Sequence, residues 1–70
     1  MSYYLDVKRT DGSRDRLRLS ATEQFAAEEE AEEVLESHRE RHPQVGQHGE
    51  VFLEQHGGDA WIATFNRPAQ

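Results

Sequence analysis

The chain lacks cysteine, has only two prolines and contains no long apolar run. Without cysteine it can form no disulfide, cysteine-ligated zinc site, iron–sulfur cluster or thiol nucleophile. No stretch approaches the roughly 20 apolar residues that a membrane-spanning helix needs. The first residues also lack the basic and apolar regions of a signal peptide. We therefore expect a cytoplasmic protein without a membrane partner.

Large apolar residues are scarce as well: leucine, isoleucine, valine and phenylalanine number 13 of 70, and the formal net charge is −6. Such a composition lies at the border where disorder is the usual interpretation. A folded chain of this length forms one domain with a small core, which we place at residues 1–66, with residues 67–70 as a flexible tail. Because little room remains for an enclosed pocket, we expect no enzymatic activity and no cofactor.

The arrangement of the few apolar residues nevertheless predicts a fold. Residues 3–9 and 14–19 alternate apolar and polar side chains, as half-buried strands do, and residues 20–41 carry apolar side chains at helical spacing. Two more strand-like runs follow at residues 50–54 and 60–65. The sequence therefore predicts an α+β domain of order β-β-α-β-β, with one helix packed on one face of a four-stranded, mainly antiparallel sheet.

The first turn follows from the requirement that apolar side chains share one face. A two-residue loop of Asp11 and Gly12 would turn the leucines of the second strand away from those of the first. A three-residue loop over residues 10–12, with Gly12 in the left-handed conformation, pairs residue 9 with residue 13 and restores the phase. This register sets Asp6 opposite Arg16 on the face away from the helix.

Local signals predict both ends of the helix. Ser20 and Glu23 have the spacing of a capping box, and Pro43 predicts an end near Arg41. Phe25 does not share the apolar face of the helix, so it either packs over a sheet edge or is exposed. That apolar face comprises Ala27, Ala31, Val34, Leu35, His38 and His42.

Two histidines raise the question of a metal site. His38 and His42 lie four residues apart, so both imidazoles could bind one ion if His48 or His56 supplied a third ligand. We favour histidines that end the apolar face with their ring tips in water, and we expect no metal.

The second hairpin leaves two phases open. Residues 56–59 contain its turn, and a turn that restores even phase directs Trp61 and Phe65 into the core. An odd phase directs Ile62 inward and Trp61 outward. We favour Trp61 and Phe65 inside, because a small core needs the roughly 150–250 Å² that each aromatic side chain buries.

A single helix covers one face of the sheet, so the other face meets solvent or a partner. We expect that face to carry Tyr4, Asp6, Lys8, Arg16, Arg18 and Phe52.

The charge is divided unequally along the chain. Residues 2–19 have a net charge of +2 and residues 20–70 have a net charge of −8, which permits a symmetric pair of copies. We therefore predict a non-catalytic protein-interaction or regulatory module that forms homodimers. Its predicted partner-binding residues are Tyr4, Arg16, Arg18 and Phe52.

Two other functions remain open. The basic and aromatic sheet face could bind single-stranded nucleic acid by stacking and charge, although no motif of a known RNA-binding fold is present. The glutamate-rich segment, residues 28–33, could instead imitate the phosphates of DNA and inhibit a DNA-binding protein.

Overall fold

Alternating side chains and helical spacing produce the predicted elements in the computed structural model, which describes residues 1–70. The strands and helix are β1 (Tyr3–Arg9), β2 (Arg14–Arg18), α1 (Gln24–Arg41), β3 (Gln47–Gln55) and β4 (Gly58–Arg67). The strands form one sheet of order β2-β1-β3-β4, and every neighbouring pair is antiparallel. The predicted β-β-α-β-β architecture is confirmed.

The core lies between α1 and one face of the sheet. Ala27 and Ala31 let the helix approach the strands closely, and Leu35 fills the space above Gly49, where no side chain intervenes. Burial of a leucine or valine side chain contributes about 1.5–3 kcal/mol, so this small set supplies most of the available stabilisation. The buried apolar residues are Tyr3, Leu5, Val7, Leu19, Ala27, Ala31, Leu35 and Val51.

The β1–β2 turn has the predicted phase. Arg9 N donates to Ser13 O at 3.0 Å, and Gly12 adopts a φ of 90°. Asp6 lies opposite Arg16 in the resulting register. The three-residue loop is therefore confirmed, and Gly12 has the left-handed backbone that glycine tolerates best.

The helix begins later than the capping box predicts. Its N-cap is Glu23, whose carboxylate accepts a hydrogen bond from Ala26 N at 3.2 Å. Ser20 instead donates through its backbone N and its Oγ to the carboxylate of Glu30. The predicted capping box is wrong, because the carboxylate of Glu30, about two turns into the helix, already binds these donors. The predicted end at Arg41 is correct.

A β-bulge decides the position of the aromatic residues in β4. The turn before β4 places Gln55 opposite Gly58, and this odd phase sets Trp61 opposite Phe52 on the face away from the helix. The register then shifts between Val51 and Phe52, with Ile62 as the extra residue of β4.

Because of the bulge, the residues of β4 before it and after it alternate between the two faces in opposite phase. Ile62 and Phe65 both pack against the core, whereas Trp61 is 58% exposed. The inward position predicted for Phe65 is correct and that predicted for Trp61 is wrong, because the bulge directs Ile62 into the space that Trp61 would have filled.

The strands of the second hairpin are longer than predicted. β3 already begins at Gln47, a buried residue whose Nε2 donates to the carbonyl oxygen of Leu35 at 2.8 Å. β4 continues to Arg67, and Gln70 N donates to Pro43 O at 2.9 Å.

The single helix is not apolar enough to cross a membrane.

Candidate functional site

The face of the sheet opposite α1, here called the outer face, carries a row of large side chains. Register places one residue from each strand side by side, in the order Arg18, Tyr4, Phe52 and Trp61. We call these four the aromatic row. Tyr4 and Phe52 are half-buried, and Trp61 is the most exposed of the aromatic side chains in the row.

Polar contacts hold the aromatic row in place. Tyr4 Oη donates to Glu54 Oε2 at 3.3 Å, and Trp61 Nε1 donates to Thr64 Oγ1 at 2.9 Å. Arg18 Nη2 donates to Ser2 Oγ at 2.7 Å. These bonds satisfy the polar ends of the side chains and leave the indole ring of Trp61 available for contact.

Arg16 crosses the outer face from one edge of the sheet toward the other. Its guanidinium lies 4.9 Å from the centre of the Tyr4 ring, 3.4 Å from Asp6 Oδ1 and 3.0 Å from Asp59 Oδ2. Because β2 and β4 are the two edge strands, this ion pair crosses the full width of the sheet. The hydrogen bond to Asp59, and then the charge of Asp6, raise the pKa of Arg16 above its ordinary value.

The outer face has a formal charge of zero. The four basic side chains all lie on β1 and β2, whereas three of the four acidic ones lie on β3 and β4. The whole chain carries −6, so the remaining surface holds the entire excess of negative charge. The charged residues of the outer face are Lys8, Arg14, Arg16, Arg18, Asp6, Glu50, Glu54 and Asp59.

The structure brings His38 and His42 together without a third ligand. Their ring centroids are 4.7 Å apart, but no group of three or more histidine or acidic side chains is placed to hold a metal ion. Nδ1 of His38 is buried and has no hydrogen-bond partner, while His42 is exposed. Burial lowers the pKa of His38, and the charges of Arg9, His42 and Arg41 lower it further.

The glutamate run does not form one uniform row. Glu30 turns toward the segment before the helix, where the backbone N–H groups of Ser20 and Ala21 bind its carboxylate. These hydrogen bonds lower the pKa of Glu30 below its ordinary value. The hypothesis of DNA mimicry therefore rests on the exposed carboxylates of Glu29, Glu32 and Glu33.

All the predicted partner-binding residues lie on the outer face, and three of them, Tyr4, Arg18 and Phe52, form one row. Arg16 lies beside this row and is engaged within the chain by Asp59. Sequence reasoning missed Trp61 and Asp59, although the odd phase of the second turn pointed to an outward Trp61. Comparison of the chain with protein-family models, with curated proteins and with solved structures finds no match.

Proposed function

We propose that this chain is a non-catalytic protein-interaction module whose outer face binds a second copy of itself. The observation that carries the proposal is the aromatic row, which crosses all four strands of a face without net charge. Tryptophan, tyrosine and arginine dominate the energetic hot spots of protein interfaces. Trp61, Tyr4 and Arg18 are these residue types.

The charge pattern favours a second copy as the partner. Two chains of charge −6 repel one another, and the repulsion is least when they approach through their neutral faces. A two-fold axis along the strands lays β1 and β2 of one copy over β3 and β4 of the other, which brings the basic half of each face to the acidic half of its partner. An isologous interface requires this kind of self-complementarity.

The size of the sheet limits the strength of this dimer. Four strands about 4.8 Å apart and about 23 Å long cover roughly 450 Å² per copy. A standard interface buries about 800 Å² per partner, so the outer face offers little more than half of that area. We expect a weak dimer whose population depends on concentration in the micromolar to millimolar range.

Sedimentation equilibrium of the wild type and two serine variants tests the proposal. We expect the wild type to gain mass between about 10 μM and 1 mM, and Trp61→Ser to remain monomeric, because the substitution removes the most exposed ring of the aromatic row. Phe25→Ser is the matched control, since Phe25 is 69% exposed but lies on the helix. It should associate as the wild type does.

A second pair of variants tests the arrangement of charges. Arg18→Glu and Glu54→Arg should each weaken association alone, and a mixture of the two should restore it, because each variant supplies the charge that the other needs. A wild type that stays monomeric throughout, or a Trp61→Ser variant that associates as well as Phe25→Ser, would contradict the proposal.

Single-stranded nucleic acid is the second candidate partner, and the stacking surface of the aromatic row favours it. The neutral charge of the outer face opposes it, since phosphate binding requires an excess of basic groups. Quenching of Trp61 fluorescence by an oligothymidylate at low salt, lost in Arg18→Glu, would support this function. The absence of quenching at low salt would remove it.

A further inference from the structure

A second row of side chains crosses the outer face at the end of the sheet. Register places Arg14, Lys8, His48 and Asn66 side by side on β2, β1, β3 and β4. We call these four the end row. Like charges directly opposite one another destabilise a sheet, yet two cations and a histidine adjoin here with no carboxylate among them. The chain has 14 acidic residues, so its composition does not force this arrangement.

The two cations of the end row have no partner of their own. The side chains of Lys8 and Arg14 take part in none of the ion pairs of the protein, which involve Arg9, Arg16, His48 and Arg67. They also make no side-chain hydrogen bond, whereas Arg16 and Arg18 both do. Their charges are therefore free to bind a ligand.

His48 is oriented by its neighbour in the row. Its Nδ1 lies 2.7 Å from Asn66 Oδ1, and because a carbonyl oxygen can only accept, Nδ1 carries the proton. The other nitrogen, Nε2, lies 3.6 Å from Glu50 Oε1.

A concavity of about 610 Å³ opens beside the end row, and none of its lining residues is acidic. Gly46 lies in its wall, where an added Cβ would come within 3.0 Å of Thr10 Cγ2 and 3.3 Å of Ala69 N. A side chain at this position would therefore have to displace Thr10 or the backbone at Ala69 by a few tenths of an ångström. The lining comprises Lys8, Arg9, Thr10, Gly46, Gln47, His48, Asn66, Arg67, Pro68 and Ala69.

We propose that the end row and this concavity bind a small organic anion through its carboxylate or phosphate group. Lys8 supplies the ion pair, and the amide NH₂ group of Asn66, whose oxygen is engaged by His48, donates a hydrogen bond. Pro68, Ala69 and the alkyl stem of Lys8 contact the organic part of the ligand. A bound anion turns the repulsion within the end row into attraction, which explains why the fold tolerates that repulsion.

Titration of the His48 ring signal by NMR tests the site with sodium phosphate and sodium citrate as probes. We expect a saturable shift with at least one probe, and a loss of affinity of about tenfold in Lys8→Gln, as for the removal of one charge-assisted contact. Arg41→Gln is the matched control, because it removes an exposed positive charge of the helix. It should leave the affinity unchanged.

The results of these titrations either support or overturn the proposed anion site. Saturation by phosphate alone or by citrate alone supports the site and identifies the anion class. Sodium chloride at equal ionic strength that reproduces the shift, or an unchanged affinity in Lys8→Gln, overturns the proposal. Repetition in Trp61→Ser separates this site from self-association, since a monomeric variant should still bind the probe.

Discussion

At the scale of single residues, Gly49 determines how closely the helix lies on the sheet. A Cβ at this position would come within 3.1 Å of Leu35 Cδ1 and 3.2 Å of Leu5 Cδ1. Both leucines are fully buried, so neither can move aside into solvent. A close-packed interior transmits such a displacement to its neighbours.

We predict that Gly49→Ala destabilises the protein by about 1–2 kcal/mol, because overpacking a core costs about 1–3 kcal/mol and the lower entropy of the unfolded chain offsets about 0.4–1 kcal/mol. Urea denaturation followed by circular dichroism measures the change. Ser37→Ala, on the exposed surface of the helix, is the control and should change stability by less than about 0.5 kcal/mol. Equal stability of Gly49→Ala and the wild type would show that the helix can shift away from the sheet.

Glu30 acts as a cap for a segment ten residues before it in the chain. Ser20 and Ala21 donate three hydrogen bonds of 2.9 to 3.0 Å from their backbone N–H groups, and Ser20 Oγ adds another of 3.0 Å. Hydrogen bonds to an ionised acceptor are the stronger kind. The carboxylate thus joins the end of β2 to α1 across the intervening link.

We predict that Glu30→Gln lowers the free energy of unfolding by about 1 kcal/mol at pH 7, a modest value because solvent screens a half-buried carboxylate. The pKa of Glu30 is lowered in the folded state, so its contribution is present above its ordinary pKa and is lost as the pH falls through the lowered one. Urea denaturation from pH 7 down to pH 3 should therefore show the difference between wild type and variant decrease as the carboxylate of Glu30 becomes protonated. Glu29→Gln is the control, and a difference independent of pH would exclude this role of the charge.

At the scale of elements, the two hairpins show what phase can and cannot predict. In the first, apolar residues on both strands allow one loop length, and the sequence predicts the three-residue turn with Gly12. In the second hairpin, either phase of the turn is compatible with the positions of Trp61, Ile62 and Phe65. Only the large area that an aromatic side chain buries favours Trp61 inside the core. A bulge that directs both Ile62 and Phe65 into the core depends on tertiary packing, and a local sequence pattern does not predict it.

The start of the helix shows a second limit of local patterns. Ser20 and Glu23 have the spacing of a capping box, but the hydrogen bonds of Ser20 go to Glu30, ten residues ahead. The N-cap falls on Glu23, with an extended backbone of φ −139° and ψ 162°. Glutamate is not among the residues favoured at an N-cap, because its longer side chain fits the first turn less well than aspartate or serine.

We predict that Glu23→Asp stabilises the protein by about 0.5–1 kcal/mol, since aspartate caps better and leaves the charge near the helix dipole unchanged. Thermal denaturation measures the gain. Ser20→Ala provides the comparison, and it should cost less than Glu30→Gln because the backbone donors of Ser20 and Ala21 remain. A larger loss of stability in Ser20→Ala than in Glu30→Gln would instead indicate that Ser20 is the cap.

At the scale of the whole molecule, strand order and register decide which side chains meet. The sequence predicts the members of the outer face but not the order β2-β1-β3-β4, which unites Arg18, Tyr4, Phe52 and Trp61 in one row. The contact of Arg16 with Asp59 joins the two edge strands and depends on the same strand order. Contacts between residues 43 positions apart follow from the assembled sheet and not from local spacing.

The division of charge over the molecule gives its self-association an unusual dependence on salt. The outer face is neutral and the rest of the surface carries −6, while the longest dimension of the chain is 37 Å. The Debye length falls from about 30 Å at 0.01 M salt to about 10 Å at 0.1 M. At low salt the excess charges of two copies therefore repel across the whole dimer, and at 0.1 M they are largely screened.

We predict that the dimer becomes tighter, on the order of tenfold, when sodium chloride is raised from 0.01 to 0.1 M. Sedimentation equilibrium of the wild type at both salt concentrations measures this change, with Trp61→Ser as a control that remains monomeric in each. Binding to single-stranded nucleic acid has the opposite dependence, since salt competes with basic groups for phosphates. Association that weakens with salt would mean that ion pairs across the outer face outweigh the repulsion of the acidic surfaces behind it.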